Sequence, residues 1–282
     1  MNRLEQGNQF IKQIIEAGTP FFIGRIAGIE LKIAYSIQHR RPIDMIHEIE
    51  ELENNAGIHV KDIESLCHYT DQLVTAYDHC TAIAEWETTG KVFAITGDGQ
   101  ELISKRTPHI PKIIAQSLEP YYVQDSWMSA LCGKRILIIH PFAKTIQQQL
   151  PKLAELFPDR IWFPDCTITC LAPPLTLAQN HGHIDWKVHL DRFLETLSKE
   201  KTVDIALVAA GGYGMLISDY LYTKLNTSVL YIGGALQLFF GIIGKRWFTN
   251  KDILALMNDD WVRPDPADKP DNFIKVEKGC YW

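Results

Sequence analysis

Two glycine-rich turns and one basic, aromatic triplet are the parts of this 282-residue chain best suited to hold a phosphate-bearing ligand. Glycine lets the backbone approach a ligand closely, and a helix that follows presents free N–H groups to an anion. The triplet Lys245, Arg246 and Trp247 offers two cations for a diphosphate and a ring for stacking. Tight turns and ordinary surface charge are the alternative explanations. The candidate ligand-binding residues of the turns are Gly211, Gly212, Tyr213, Gly214, Gly233, Gly234 and Gln237.

A carboxylate and a histidine are the candidate catalytic residues. Glu30 follows the first predicted strand-to-helix turn, where it could take a divalent cation or a substrate hydroxyl, or only complement the helix dipole. Arg25, on the other side of that turn, is a candidate phosphate ligand. His140 ends a predicted central strand, where it could act as a base, donate to a phosphate or serve only the structure.

Patterns for transition-metal binding are weak. His181 and His183 lie in an irregular loop and could bind a metal as a pair, but no third ligand is identifiable from the sequence. We therefore interpret them as loop residues. Cys166 and Cys170 are four positions apart without partner histidines nearby, which argues against a metal site there.

The elements that must position these residues follow an alternation of strands and helices. Apolar runs at 205–210 and 228–232 predict strands, and the helical spacing of 215–225 lies between them. A strand–helix–strand unit of this length indicates a parallel, right-handed crossover. The sequence therefore predicts an α/β, Rossmann-like, mostly parallel sheet flanked by helices, whose loops at the strand ends form a ligand crevice.

The order of apolar and polar segments along the whole chain predicts one α/β domain over 1–282, with a helical insertion at 40–86 and an irregular tail at 258–282. We expect the terminal Tyr281 and Trp282 to pack on the domain or on a partner. Further strands are predicted at 21–23, 92–96, 135–139 and 161–163, and further helices at 4–17, 29–37, 61–77, 143–157, 185–197 and 251–257.

Composition and missing motifs exclude several functional classes. The net charge of −6 and the absence of a basic stripe argue against nucleic-acid binding. We find no secretory signal, membrane-spanning run or disulfide framework, so we expect a cytoplasmic protein. The sequence also lacks the dinucleotide fingerprint, the phosphate loop of nucleotide hydrolases and the serine-hydrolase elbow. Hydride transfer, nucleotide hydrolysis and serine hydrolysis therefore lose support.

Five segments of the chain resemble a group of bacterial and viral polysaccharide-locus proteins: GRIAGIEL, WMSALCGKRILIIHPF, DIALVAAGGYG, IGGALQLFFGIIGKRW and GCYW. They are spread over nearly the whole length, and the group is distantly similar to glycosyltransferases of the GT-D fold. That family opens with R-F-G-D-G-E-L, whose Asp-x-Glu motif binds the metal and the nucleotide sugar. Here the segment is RIAGIEL, so Arg25 and Glu30 match, but Gly28 stands where the family has aspartate.

The resemblance implies a glycosyltransferase that uses a nucleotide-sugar co-substrate in surface polysaccharide or glycoconjugate synthesis. It implies Mn²⁺ or Mg²⁺ held by Glu30, whereas Gly28 implies either metal-independent transfer or lost activity. In this hypothesis the glycine turns cradle the diphosphate, and Lys245 and Arg246 neutralise the leaving group. The partners are the sugar donor and a glycan or lipid-linked acceptor; peripheral membrane contact and homo-oligomerisation stay open. The alternatives are a non-catalytic nucleotide or sugar-phosphate binding protein and another Rossmann-like small-molecule enzyme.

Overall fold

Short apolar strands form one parallel sheet in the computed structural model, which describes residues 1–200 and 202–282. Within that part of the chain the sheet has seven strands in the order β3-β2-β1-β7-β6-β4-β5, and neighbouring strands all pair in parallel. The predicted parallel α/β fold is therefore confirmed. The strands are β1 (Phe22–Arg25), β2 (Ala82–Glu85), β3 (Lys112–Ile114), β4 (Arg135–Ile139), β5 (Thr167–Leu171), β6 (Ile205–Val208) and β7 (Ser228–Tyr231).

Helices cover both faces of the sheet, and each face has its own apolar core. Successive strand side chains point to opposite faces, so Phe22 and Leu137 belong to one core and their neighbours Ile23 and Ile138 to the other. None of the described helices has the length and apolarity that a membrane crossing requires. The helices are α1 (Arg3–Glu16), α2 (Ile29–Gln38), α3 (His47–Glu51), α4 (Ile63–Asp78), α5 (Gly90–Arg106), α6 (Ala143–Gln149), α7 (Leu153–Leu156), α8 (Trp186–Leu197), α9 (Gly214–Leu225) and α10 (Lys251–Leu254).

The strand–helix–strand unit β6-α9-β7 has the predicted arrangement. Helix α9 ends at Asn226, which adopts the left-handed conformation with φ of 52°. That conformation is common at helix ends, and asparagine tolerates it better than most residues do. Because β6 and β7 are adjacent strands, the two glycine turns that follow them lie side by side.

Three predicted elements are wrong. Residues 92–96 belong to helix α5, and their apolar run includes Val92 and Ile95 on an exposed face, 46% and 55% accessible. The predicted helix 143–157 is divided at Pro151, which has no N–H for the helical ladder and clashes with the preceding turn. Residues 161–163 form no strand, whereas β5 arises from the segment that we expected to be irregular.

The first and the last strand of the sheet, β1 and β7, are neighbours. Strands β2 and β3 lie on one side of β1, and β7, β6, β4 and β5 lie on the other. The carboxyl ends of parallel strands meet at one edge of the sheet, and ligands of such sheets bind in a crevice outside that edge. The range 40–86 contains α3, a π-helical turn (Leu52–Ala56) and α4, and it ends with β2 of the main sheet.

The C-terminal segment is irregular but packed. Its described elements are two short 3₁₀ turns, Pro266–Asp268 and Phe273–Lys275. Trp282 is only 7% exposed and packs edge-on against Phe142 and Phe273, with ring centroids 5.6 and 5.8 Å away. The expectation that the aromatic terminus packs on the domain is confirmed.

Candidate functional site

Arg25 is the cation at the carboxyl end of β1, beside the neighbouring strands β2 and β7. Its guanidinium carbon lies 5.2 Å from the ring centroid of Trp86 and 5.5 Å from that of Tyr231. The rings stabilise the charge by cation–π attraction. Its Nε atom is buried without a hydrogen-bond partner, and no carboxylate of the described chain forms an ion pair with it. Arg25 therefore keeps donors that an anionic ligand can use.

Hydrogen bonds fix the turn that carries Arg25. The Tyr77 hydroxyl donates to the carbonyl of Arg25 at 2.8 Å and accepts from the amide of Ala27 at 3.2 Å. The Trp86 indole donates to the carbonyl of Ile26 at 3.0 Å. Tyr77 comes from α4 and Trp86 follows β2, so two separate segments hold this turn in one conformation.

Glu30 lies in the first turn of α2 and is 8% exposed. Burial raises the pKa of its carboxyl, and nearby backbone amides and the charge of Arg25 only partly oppose this. A group of three or more metal-ligating side chains that includes Glu30 is not found within the described residues. A single carboxyl beside a guanidinium does not fit Mn²⁺ or Mg²⁺, which need several hard oxygen ligands.

A second carboxyl near Arg25 was not suggested by any sequence signal. Glu119 accepts a hydrogen bond from the hydroxyl of Tyr121. Burial raises the pKa of Glu119, while the charges of Arg25 and Arg246 act in the opposite direction. Arg25 and Arg246 therefore lie close enough to influence the same carboxyl, although they are distant in sequence.

The two glycine turns lie side by side as predicted, but protein groups fill the space beside them. A Cβ added at Gly233 would lie 1.9 Å from the Arg25 guanidinium, and one at Gly214 would lie 2.3 Å from the Tyr231 ring. The same holds for Gly211 against the carbonyl of Ala56, Gly212 against Ile58 and Tyr69, and Gly234 against Tyr281. The interpretation as an open diphosphate cradle is thus corrected, because these glycines permit close packing within the protein.

The basic, aromatic triplet is bound to the C-terminal segment. Arg246 forms an ion pair with Glu277, and its guanidinium carbon lies 4.5 Å from the ring centroid of Tyr281. Its backbone amide donates to the carbonyl of Cys280 at 2.7 Å. The side chain of Lys245 is exposed. Trp247 is only 8% exposed and belongs to the apolar core, so its predicted stacking on a base or sugar is wrong.

Tyr213 and Gln237 are core residues. They are 1% and 0% exposed, respectively. The amide nitrogen of Gln237 donates to the carbonyls of Ile242 at 3.0 Å and Tyr281 at 3.3 Å. The predicted contacts of these two residues with a sugar or base are therefore corrected, since neither side chain is accessible.

His140 is also structural. It is 3% exposed, and its Nδ1 accepts a hydrogen bond from the amide of Phe142 at 2.9 Å. Burial lowers its pKa to about 3. An imidazole that is buried, neutral and already used as an acceptor does not serve as a general base, so the catalytic assignment of His140 is corrected.

We expect His140 to make the fold sensitive to acid. In the unfolded chain a histidine titrates near pH 6.5, whereas the buried ring stays neutral until about pH 3, so stability falls as the pH drops below 6.5. The contribution between pH 7 and pH 5 is about 2 kcal/mol. His140→Asn keeps an acceptor for Phe142 and should lose about 2 kcal/mol less than wild type over that range in urea denaturation. Equal losses in both proteins would contradict this prediction.

The structure thus brings Arg25, Glu30, Gly233 and Arg246 together near the carboxyl end of β1. The predicted residues whose side chains are buried in the core are His140, Tyr213, Gln237 and Trp247. The residues missed from the sequence are Trp86, Glu119, Tyr231, Glu277 and Tyr281. Trp86 directly follows β2 and Tyr231 ends β7, so the rule that ligands bind at strand ends could have found them.

Comparisons with known proteins provide no family assignment. No protein-family model, curated protein or solved structure matches this chain. Its function is therefore inferred from its own residues and their geometry.

Proposed function

We propose that this protein is a glycosyltransferase that transfers sugar from a nucleotide-sugar donor, and that Arg25 binds the donor's diphosphate. The observation that carries the proposal is the position of Arg25: it lies at the carboxyl end of β1, between two aromatic rings, with its Nε left unpaired. A guanidinium in a crevice of this kind suits an anionic phosphate group, to which it can donate two parallel hydrogen bonds.

In the proposed reaction, the bond between the anomeric carbon and the diphosphate breaks, and its electron pair goes to the leaving phosphate oxygen. Arg25 stabilises that developing negative charge without a metal ion. Arg246, whose charge also influences Glu119, assists Arg25 in this role. The acceptor hydroxyl forms the new bond to the anomeric carbon and gives its proton to Glu30, whose raised pKa suits a general base.

The acceptor in this proposal is a glycan or lipid-linked glycan of a surface polysaccharide or glycoconjugate, and transfer takes place in the cytoplasm. The family resemblance of the segment RIAGIEL supports the reaction class. The geometry of the crevice supports the anionic donor.

Donor binding is the direct test. Purified protein is titrated by calorimetry with nucleoside diphosphates and with a set of nucleotide sugars, in the presence of EDTA. We expect saturable binding of at least one nucleotide sugar without added metal. Absence of binding by every donor, with and without Mn²⁺, would contradict the proposal.

The variant Glu30→Gln distinguishes an effect on donor binding from an effect on the rate of sugar transfer. The variant keeps the size and polarity of the side chain but cannot accept the proton, so we expect transfer to fall by about 100- to 10,000-fold. Donor affinity should stay within a few-fold of wild type. Rates are measured by release of nucleoside diphosphate with a glycan acceptor. The matched control is Glu85→Gln, at the end of neighbouring β2, whose carboxylate accepts from Ser104 at 2.8 Å. A normal rate in Glu30→Gln would remove Glu30 from the mechanism.

A second candidate function is binding of a nucleotide or sugar phosphate without turnover. Gly28 favours it, because the residue that supplies a metal carboxylate in the GT-D family is missing here. Tight donor binding with neither transfer nor hydrolysis, for wild type and Glu30→Gln alike, would establish this function instead.

A further inference from the structure

Three histidine side chains from two distant segments of the chain converge beside the π-helical turn Leu52–Ala56. Ligand nitrogens of His59, His181 and His183 all lie within 4.8 Å of one another. The rings of His59 and His181 stack in parallel at 4.1 Å, and His183 lies edge-on to both. His181 is 5% exposed, whereas His183 is at the surface. The cluster is therefore half-buried and open on one side.

Glu53 completes the cluster with a negative charge. Its Oε1 lies 2.6 Å from Nδ1 of His59, and its Oε2 lies 3.9 Å from Nε2 of His181. A carboxylate that bonds Nδ1 leaves Nε2 of the same ring as the free ligand atom. Metal-binding histidines are oriented in this way in known sites, where the carboxylate also makes the ring a better ligand.

We propose that His59, His181 and His183 bind one Zn²⁺ ion, with Glu53 orienting His59. Three imidazoles suit zinc or another borderline transition metal, whereas Mg²⁺ and Mn²⁺ prefer oxygen ligands. Three protein ligands leave a fourth coordination position for water. The site is separate from Glu30, and its existence does not depend on sugar transfer.

Binding requires a local rearrangement of the loop that carries His181 and His183. In a tetrahedral zinc site the ligand nitrogens are about 3.3 Å apart, so the rings must move closer together. The amide of His183 now donates to Nδ1 of His181 at 3.1 Å. A metal-bound imidazole cannot accept this bond, because one nitrogen holds the metal and the other carries the proton. This bond must break when the ion binds, and His183 is already in the left-handed conformation with φ of 57°.

The ion would connect the segment around the π-helical turn to the loop that carries His181 and His183, and the first of these packs against the Gly211 turn. Glu53 lies in the π-helical turn, and the carbonyl of Ala56 in the same turn would lie 2.8 Å from a Cβ at Gly211. His181 and His183 lie beyond Thr176, whose hydroxyl donates to the carbonyl of Gly57 at 2.7 Å. Zinc should therefore stabilise the packing of residues 177–184 against this turn.

The experiment measures zinc directly. Full-length protein is treated with EDTA, desalted, titrated with Zn²⁺ by calorimetry and analysed for bound metal. We expect one zinc per chain, unaffected by excess Mg²⁺. Co²⁺ in the same site should give the visible absorption of tetrahedral coordination. EDTA-treated wild-type protein that binds no zinc in the titration would overturn the proposal.

Two variants assign the ion to these residues. His183→Ala removes an exposed ligand and should abolish stoichiometric binding without unfolding the protein, which circular dichroism verifies. Glu53→Gln should weaken binding by about 10- to 100-fold. The matched control is His109→Ala, an exposed histidine outside the cluster, which should bind zinc as wild type does. Unchanged zinc binding in both His183→Ala and Glu53→Gln would place the ion elsewhere and overturn the proposal.

Discussion

Arg25→Ala is expected to lower sugar transfer by about 100- to 1,000-fold, the loss typical of removing one preorganised charge-stabilising donor. The reason is that Arg25 is the cation at the carboxyl end of β1, and its buried Nε has no partner within the described chain. Its position between Trp86 and Tyr231 is set before a ligand arrives, so no reorganisation is needed when charge develops on the phosphate. The measurement is kcat/KM for release of nucleoside diphosphate, together with donor affinity by calorimetry.

The matched control for Arg25→Ala is Arg135→Ala at the opposite edge of the sheet. Arg135 begins β4 and forms an ion pair with Asp204, so its loss should leave donor binding unchanged. Arg25→Lys keeps the charge but lacks the planar pair of donors, so we expect an intermediate rate. Thermal unfolding establishes that each variant is folded. Normal transfer in folded Arg25→Ala would contradict the proposed donor site.

The unit β6-α9-β7 was predictable because its local residue patterns agree with what a parallel strand–helix–strand unit requires. The run at 205–210 has no polar interruption, glycines end it at once, and Asn226 provides a helix stop before the run at 228–232. A parallel strand buried on both faces is continuously apolar, and its crossover helix needs a defined end. Such a unit has few alternative arrangements, so β6, α9 and β7 could be recognised from sequence.

The prediction failed where a short apolar run had two interpretations. Residues 92–96 contain Val92, Phe93 and Ile95, which suit a strand, yet they begin a helix that continues to Arg106. Conversely, polar and apolar residues alternate from Thr167 to Cys170, which is typical of a strand with one exposed face, and β5 is indeed an edge strand. Because turn residues flank this segment on both sides, we predicted irregular structure there and did not predict β5.

The site was only partly predictable, since its contacts join residues that are distant in sequence. Arg25 and Glu30 could be selected because they flank a strand-to-helix turn and match a family motif. The sequence pattern could not tell that Gly214 faces Tyr231, or that His59 completes the set formed by His181 and His183. A glycine has the same local signature whether a ligand or a side chain occupies the space beside it.

Gly233→Ala should destabilise the fold by about 2–4 kcal/mol and weaken donor binding as well. Gly233 has φ of 73° and ψ of −159°, a conformation that glycine alone adopts without strain. Its new Cβ would also lie 1.9 Å from the Arg25 guanidinium, so that side chain must leave its place between the aromatic rings. Urea denaturation measures the first effect, and calorimetry with a nucleotide sugar measures the second.

Two other glycines separate the causes of this loss. Gly18→Ala tests backbone conformation alone, because Gly18 has φ of 71° and nothing lies within 4 Å of its Cβ position. We expect its free energy of unfolding to fall by about 1 kcal/mol and donor binding to be normal. Gly214→Ala tests crowding alone, because Gly214 has helical backbone angles but its Cβ position lies 2.3 Å from the Tyr231 ring. We expect its free energy of unfolding to fall by about 1–3 kcal/mol. If Gly233→Ala resembled Gly18→Ala in both stability and binding, the contact between Gly233 and Arg25 would have no part in shaping the donor site.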